Sequence, residues 1–413
     1  LILYNLFIWI AQLVYRLAAV FHTKAHLFVS GRSGLFNKLE LALNENRNTL
    51  IWIHCASLGE FEQGRPIIES LKNQNPSIKI LLTFFSPSGY EVRKNYQQAD
   101  YIFYLPWDTA QNAKRFIDIT KPRLAIFIKY EFWFNYTRQL SLNNIPVISA
   151  SSIFRPDQVF FKWYGSSFRK ILKKFNHFFV QTPQSIELLR NIGITDVTLA
   201  GDTRFDRVYE VTQQAGEVEI ALRFKREEKT FVVGSLWPED LEVLAPFINE
   251  HEHSLKFILA PHEISERFIS QIEQSLSVKS VRYSCADDKI ENCSVLIIDN
   301  IGMLSKLYRY GEFAWVGGAY GKGLHNILEA ACYGIPIFFG NKNYHKFQEA
   351  NDLIMRGGAF AISDYLDLKK NFELLINRPE SFLLACEVTQ SYVKENLGAT
   401  TKIISWCKPI LAS

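Results

Sequence analysis

From about residue 48 onward the chain alternates short, wholly apolar runs with longer amphipathic stretches, and it does so almost without interruption. Runs at 50–54, 78–84, 101–104, 124–129, 147–150 and 177–180 contain few polar side chains, so they read as strands buried on both faces. The stretches that follow, such as 61–71 and 109–119 with Asp108 as its N-cap, repeat apolar residues at helical spacing. Strict strand–helix alternation requires parallel strands, because each return to the same sheet edge needs a crossover that a helix supplies. The rhythm pauses at Gly201–Asp206 and a polar, charged helix running to about Lys229. It then resumes with runs at 231–234, 257–260, 295–299, 313–317 and 335–338. Two doubly wound units of roughly 200 residues each fit a chain of 413 residues.

Charge divides along the same line. Residues 1–200 hold 23 Lys and Arg against 13 Asp and Glu, a balance of +10, whereas the remainder carries 23 against 29, or −6. A basic first half implies an anionic partner there, either nucleic acid or an anionic lipid surface. The apolar N-terminus favours lipid and no nucleic acid. Residues 1–21 are apolar except for Asn5, Gln12 and Arg16, which fall within about 40° of one another on a helix. Such a segment is long enough to span a bilayer and also suits its interface; the competing readings are a buried core helix and a cleaved signal peptide, the latter disfavoured by the lack of a basic start and of a clear cleavage site. Arg16, Lys24, Arg32 and Lys38 follow it with few acids, which places the body of the protein on the cytoplasmic side of the inner membrane. The segment 161–175 interleaves Lys162, Arg169, Lys170, Lys173 and Lys174 with Trp163, Tyr164, Phe168 and Ile171. It reads as a solvated helix face, a membrane-surface helix or a nucleic-acid patch. The six cysteines are scattered without a CxxC pair, and the nine histidines form no HExxH. Asp287-Asp288 sits in a polar loop, so no metal site and no cofactor is expected.

Four segments carry candidate chemistry at strand ends, where parallel sheets bind their ligands. Ser57-Leu58-Gly59-Glu60 follows the first strand: Gly59 permits a tight turn, and Glu60 starts a helix. Glu60 is placed either to take a proton from an acceptor hydroxyl or to complement the helix dipole. Lys129-Tyr130-Glu131 ends the strand at 124–129, as a functional pair or as a structural ion pair. In the second half, Gly317-Gly318 opens a glycine-rich loop that leads to a helix beginning near His325-Asn326. Glu329 lies one turn in, within reach of a ribose, and the helix start suits a nucleotide phosphate. Ser235 and the Pro261-His262 pair follow the second half's first two strands, where nucleotide-contacting loops belong.

Taken in order, Ala56-Ser57-Leu58-Gly59-Glu60, Lys129-Tyr130-Glu131-Phe132-Trp133, Gly201-Asp202-Thr203-Arg204-Phe205-Asp206, Gly234-Ser235-Leu236-Trp237-Pro238-Glu239 and His325-Asn326-Ile327-Leu328-Glu329 resemble the 3-deoxy-D-manno-octulosonic acid (Kdo) transferases of Gram-negative bacteria over essentially the whole chain. Two departures are the lack of an arginine between Pro261 and His262, and Leu236 where many members have threonine. The resemblance implies a GT-B fold, an α/β architecture of two Rossmann-like domains facing across a cleft. Its parts would be an anchor helix at 1–21, an acceptor-binding domain at 22–205, a nucleotide-sugar domain at 206–400, and a last helix at 401–413 crossing back. It implies an inverting, metal-independent transfer of Kdo from CMP-Kdo to the lipid A precursor lipid IVA. Glu60 would be the base and Glu131 an essential acid. Ser235, Pro261, His262, Gly317, Gly318, Asn326 and Glu329 would serve the donor, and Ser57, Gly59, Arg32 and Lys129 the acceptor. The runner-up is another GT-B enzyme using a uridine diphosphate sugar, similar to a lipid A disaccharide synthase or an epimerase.

Overall fold

A computed structural model describes residues 2–214, 216–286 and 290–412. The chain divides into two compact units, Leu1–Arg207 together with Leu397–Ser413, and Val208–Asn396.

The first unit is built on seven parallel strands: β1 Leu50–Cys55, β2 Lys79–Phe84, β3 Tyr101–Tyr104, β4 Leu124–Ile128, β5 Val147–Ser152, β6 His177–Val180 and β7 Val197–Leu199. Their spatial order is β3-β2-β1-β4-β5-β6-β7. Winding runs outward from β1 in one direction and then from β4 in the other, so the topological switch lies between β1 and β4. Both faces are packed. Leu50 and Trp52 join one apolar cluster, while Ile51, Ile53 and Cys55 join the other, the alternation that a period of two demands.

The second unit repeats the scheme with β8 Thr230–Leu236, β9 Lys256–Pro261, β10 Ser280–Arg282, β11 Val295–Ile297, β12 Phe313–Val316, β13 Ile337–Gly340 and β14 Ala359–Ile362. Their order is β10-β11-β9-β8-β12-β13-β14, again all parallel, with the switch between β8 and β12. Three of the fourteen strands, β7, β10 and β14, have no counterpart among the apolar runs read from the sequence. All three are sheet edges of three or four residues. An edge strand is paired on one side only, and these are largely half-buried, so no continuous apolar run marks them.

Other elements differ from the sequence reading in informative ways. Asp108 does not cap the helix Ala110–Thr120; Thr109 does, accepting from Asn112 N–H at 3.1 Å. Asp108 is fully buried and caps a different helix, Phe134–Leu142, by accepting from Asn135 N–H and Tyr136 N–H, each at 3.0 Å. The charged helix expected to run to about Lys229 is two helices, Thr203–Gln214 and Glu219–Lys225. The terminal helix Ala399–Ala412 packs on the first unit's sheet, and Asp206 fixes its start by accepting from Gly398 and Thr400 N–H at 2.6 Å each.

The N-terminal helix is Ile2–Ala18, 17 residues or about 26 Å, against the ~30 Å of a hydrocarbon core. Among the described residues no helix is long and apolar enough to cross a membrane. The polar stripe faces the protein. Asn5 accepts from the Asn135 amide at 3.2 Å, the Tyr4 hydroxyl donates to Asp108 at 2.5 Å, and Gln12 and Arg16 line a cavity of about 450 Å³ with Arg32 and Trp107. Leu6, Phe7, Trp9, Leu13, Val14 and Leu17 face outward, each between 47% and 66% exposed. This inverts the usual arrangement of a surface helix, which turns its apolar stripe inward.

Candidate active site

Ligands of open parallel sheets sit beyond the carboxyl ends of the strands that flank the switch. In the first unit those strands are β1 and β4, and the segments leaving them carry Glu60 and Glu131. Ser57 occupies the N-cap position of the helix Leu58–Gln74, yet its hydroxyl does not cap a backbone N–H; it donates to the Glu60 carboxylate. Glu60 lies half-buried in the first helical turn. Gly59 has no positive φ, and a Cβ there would meet only the Ser57 hydroxyl, at 3.8 Å. The tight turn expected of Gly59 is therefore absent, because the chain enters the helix directly from an extended Ser57.

The turn instead occurs at Lys129. It adopts φ 61°, a left-handed conformation uncommon for a side chain with a Cβ. Its N–H donates to Ala150 O at 2.9 Å, and its carbonyl accepts from the Ser149 and Ser152 hydroxyls at 3.2 and 2.9 Å. Three partners thus hold a strained residue, a pattern concentrated at functional sites. The turn throws Glu131 back over the sheet between two aromatic anchors. Phe132 stacks on Phe154 at 5.7 Å, and Trp133 packs on Phe85 at 4.7 Å. Glu131 Oε2 lies 3.5 Å from Nε2 of His54, a histidine of β1. Both carboxylates act on the same buried thiol: burial pushes Cys55 well up, and Glu60 and then Glu131 push it further.

Arg32 is placed differently from the acceptor contact expected of it. Its guanidinium donates to the carbonyls of Leu105, Phe28 and Phe85 at 2.9, 2.8 and 2.7 Å, and it lies 3.7 Å over the Phe28 ring. That geometry ties the N-terminal helices to the β2 and β3 ends. Gly201–Asp206 is likewise a structural joint. Asp202 accepts from the Gln63 amide at 3.0 Å, and Thr203 donates to Gln63 O at 2.6 Å. Burial alone would raise the Asp202 carboxyl, but Arg204 and, less strongly, Lys129 hold it below the usual range.

In the second unit, the ends of β8, β9 and β12 bring together Ser235, Trp237, His262, Gly317, Gly318 and His325. Ser235 has φ 50° at an irregularity in the β8–β9 register. Gly317 must lack a side chain because a Cβ would stand 2.2 Å from Ser235 O. Gly318 has φ +95°, and a Cβ would stand 2.6 Å from Gly323 O and 2.7 Å from the His325 ring. Asp240, unremarked in the sequence, ties the two loops by accepting from Gly318 and Trp237 N–H, each at 3.0 Å, through one oxygen. Burial pushes its carboxyl up to about 6. The Trp237 indole donates to His325 Nε2 at 3.0 Å and stacks on His262 at 4.3 Å. His325 is lowered to about 4, by burial and then by His262, so it is neutral at pH 7 with Nε2 as acceptor and Nδ1 carrying the proton. Trp237, His262, Glu263 and Arg267 line an adjoining cavity of about 410 Å³.

The glycine-rich loop is not the anion cradle that its composition suggests. Gly317, Gly318, Gly321, Gly323, Leu324 and His325 all donate their N–H groups to protein acceptors. The helix after it does not open at His325-Asn326 either; it is a single turn, Leu328–Ala331, cut short by Gly334 at φ +66°. So short a helix has little dipole to offer. What the loop presents is side chains: Lys322, 4.5 Å over the Trp237 ring, and Asn326, whose amide donates to Glu329 at 3.2 Å. Asp287-Asp288 lies outside the described residues, and among those described no cluster of three or more metal-ligating side chains occurs.

Two doubly wound units, each with polar groups gathered at its switch, have the architecture of GT-B glycosyltransferases. The chain matches MurG of Acinetobacter baumannii with a TM-score of 0.56 at 11% identity, covering 88% of this chain and 99% of that one. It matches the UDP-GlcNAc 2-epimerase of Neisseria meningitidis with a TM-score of 0.60 at 16% identity, covering 86% and 98%. Likeness at such identity speaks to the fold alone. Residues 29–207 match the family described as 3-deoxy-D-manno-octulosonic-acid transferase (kdotransferase). A 3-deoxy-D-manno-octulosonic acid transferase of Aquifex aeolicus (strain VF5) is 29% identical over 346 residues, 81% of this chain and 89% of the relative. The protein is a glycosyltransferase whose sequence is similar to those of the Kdo transferases.

Proposed function

We propose that this enzyme transfers Kdo from CMP-Kdo to lipid IVA at the cytoplasmic face of the inner membrane, with inversion and without a metal ion. The observation that carries the chemistry is the pair of carboxylates, Glu60 and Glu131, on the two segments that leave the first sheet's switch point. In this reading Glu60 takes the proton of an acceptor hydroxyl as its oxygen bonds to the anomeric carbon of Kdo. The bond from that carbon to the CMP phosphate breaks on the opposite face. Ser57, donating to Glu60, fixes the carboxylate's direction. The charge leaving on CMP is met by side chains of the second unit, Lys322, Asn326 and the Nδ1–H of His325, with Glu329 toward the ribose. The relatives' name supports Kdo as the sugar. Mass spectrometry of lipid IVA incubated with CMP-Kdo tests the reaction. Glu60→Gln should lower turnover about 10²–10⁴-fold while sparing donor affinity. Near-normal turnover in that variant, or activity abolished by EDTA and restored by magnesium, would overturn the corresponding part.

The membrane assignment is supported by the outward apolar face of the helix Ile2–Ala18 and by Trp163, which is 91% exposed among Lys162, Arg169 and Lys170. Burying a Leu-sized side chain contributes about 1.5–3 kcal/mol, and each basic group at an anionic surface about 1 kcal/mol that salt removes. Replacing Phe7, Trp9 and Leu13 by serine should therefore release the protein from phosphatidylglycerol vesicles in flotation at high salt. Retention equal to wild type would refute the assignment.

A further inference from the structure

His54 is buried with no exposed surface near the carboxyl end of β1, an otherwise apolar strand. Its partners form a line. The Trp52 indole N–H donates to Thr83 Oγ1 at 2.8 Å. Thr83, opposite His54 in the β1–β2 register and equally buried, brings that hydroxyl within 2.8 Å of His54 Nδ1. On the far side of the ring, Nε2 makes no hydrogen bond and faces Glu131 Oε2 at 3.5 Å.

The two tautomers of a neutral imidazole are not equivalent here. With the proton on Nδ1, the ring would donate toward Thr83, whose carbonyl lies 3.1 Å away, but a bare Nε2 lone pair would then face the Glu131 carboxylate. With the proton on Nε2, every group finds a matching partner. Trp52 donates to Thr83 Oγ1, the Thr83 hydroxyl hydrogen is left to donate to Nδ1, and Nε2–H points at the carboxylate. The hydrogen bond at one ring nitrogen fixes the state of the other. A distance of 3.5 Å is long for a hydrogen bond, but contacts of this kind tighten when substrate closes the site.

We propose that Trp52, Thr83 and His54 form a buried relay that holds His54 in the Nε2–H tautomer and thereby orients the Glu131 carboxylate, making His54 and Thr83 positioning residues for the transfer. This rests on Glu131 serving the reaction. The relay explains why a strand otherwise committed to the core contains a histidine. It also explains how a carboxylate on an irregular segment acquires a fixed direction: the turn at Lys129 sets where the segment goes, and His54 sets where its acid points.

The test uses the full chain with CMP-Kdo and lipid IVA, together with ¹⁵N spectra of the histidine side chains. Wild-type His54 should show the Nε2–H tautomer. Thr83→Val keeps the shape but removes the hydroxyl. It should lower kcat on the order of 10–100-fold, as misplacement of a reacting group by a fraction of an ångström to an ångström does, with the KM for CMP-Kdo little changed. Thr83→Ser should restore both kcat and the tautomer. His54→Gln, whose amide can present an N–H near the Nε2 position, should retain more activity than His54→Leu. A wild-type Nδ1–H tautomer, or Thr83→Val with unchanged kcat, overturns the relay. Glu131→Gln separates the two ideas: full turnover in that variant defeats the role of Glu131 itself, whereas the tautomer measurement judges the relay alone.

Discussion

Replacing Asp108 by alanine should destabilise the first unit by an amount that grows as the pH falls. The carboxylate is buried and accepts from the backbone N–H groups of Phe134, Asn135 and Tyr136 and from the Tyr4 hydroxyl. It therefore caps the helix Phe134–Leu142, whose own N-cap residue, Trp133, makes no side-chain cap, and it also fastens the N-terminal helix. Each donor left without a partner costs about 1–3 kcal/mol. Against this stands the cost of the charge itself, since burial raises the Asp108 carboxyl from 3.8 to about 6. A displacement of that size makes ionisation roughly 3 kcal/mol harder in the folded state than in the unfolded one. The sign follows from linkage. A folded pKa above the unfolded value favours folding fully below about pH 3.8, and that contribution is lost as pH rises through about 6. Removing the group thus forfeits the hydrogen bonds at every pH but relieves the charge penalty mainly at neutral pH. The destabilisation by Asp108→Ala should be larger at about pH 5 than at about pH 7.5, by roughly 1–1.5 kcal/mol. For a unit of this size that is a difference of about 2–6 °C in the shift of Tm. Differential scanning calorimetry of wild type and variant at the two pH values measures it. Equal shifts, or a larger shift at the higher pH, would show that desolvation does not govern this group.

Two further substitutions test the joints around the site. Gly318→Ala puts a Cβ 2.6 Å from Gly323 O at a φ of +95°; it should cost about 1–3 kcal/mol and raise the KM for CMP-Kdo, while the melting of the first unit stays unchanged. Unaltered donor kinetics would remove that loop from the donor site. Asp206→Ala deprives Gly398 and Thr400 N–H of their acceptor and should cost about 0.5–2 kcal/mol, read as faster hydrogen exchange across Ala399–Ala412. Protection equal to wild type would show that the apolar contacts of Ile403 and Ile404 hold that helix alone.

The interior of both sheets was legible because burial on both faces leaves an unmistakable apolar run. Residues 50–54 and 231–234, for example, both lie inside observed strands, β1 and β8. Of the four sheet edges only β3, at 101–104, was legible. Ser280–Arg282 is half-buried along its length and carries a serine and an arginine, so nothing local separates it from loop. The start of β13 was misplaced for a related reason. The apolar run begins at Ile335, but Pro336 has no N–H to give the ladder, and the strand begins only at Ile337.

At the site, the topology predicted where carboxylates must gather but not how they are held. Glu60 and Glu131 lie at strand ends in the sequence and at the switch in the fold, because doubly wound sheets leave no other opening there. Glu60 is met by Ser57, three positions before it, but the groups that face Glu131 come from the sheet interior, at separations the sequence does not advertise. His54 lies 77 positions before Glu131, and Thr83 lies on a different strand again. The glycine-rich loop errs in the opposite direction. Its composition suggests exposed backbone N–H groups, whereas Asp240, 78 positions earlier, already accepts the one at Gly318. A glycine therefore signals here that another part of the chain comes close, at Ser235 O for Gly317 and at Gly323 O for Gly318, rather than that a ligand does. The N-terminal helix reads correctly only once both sides of it are known. Its narrow polar stripe suggested that most of its surface sits in an apolar medium. The stripe turns inward to Asp108 and Asn135, which leaves Leu6, Phe7, Trp9 and Leu13 on the outer face.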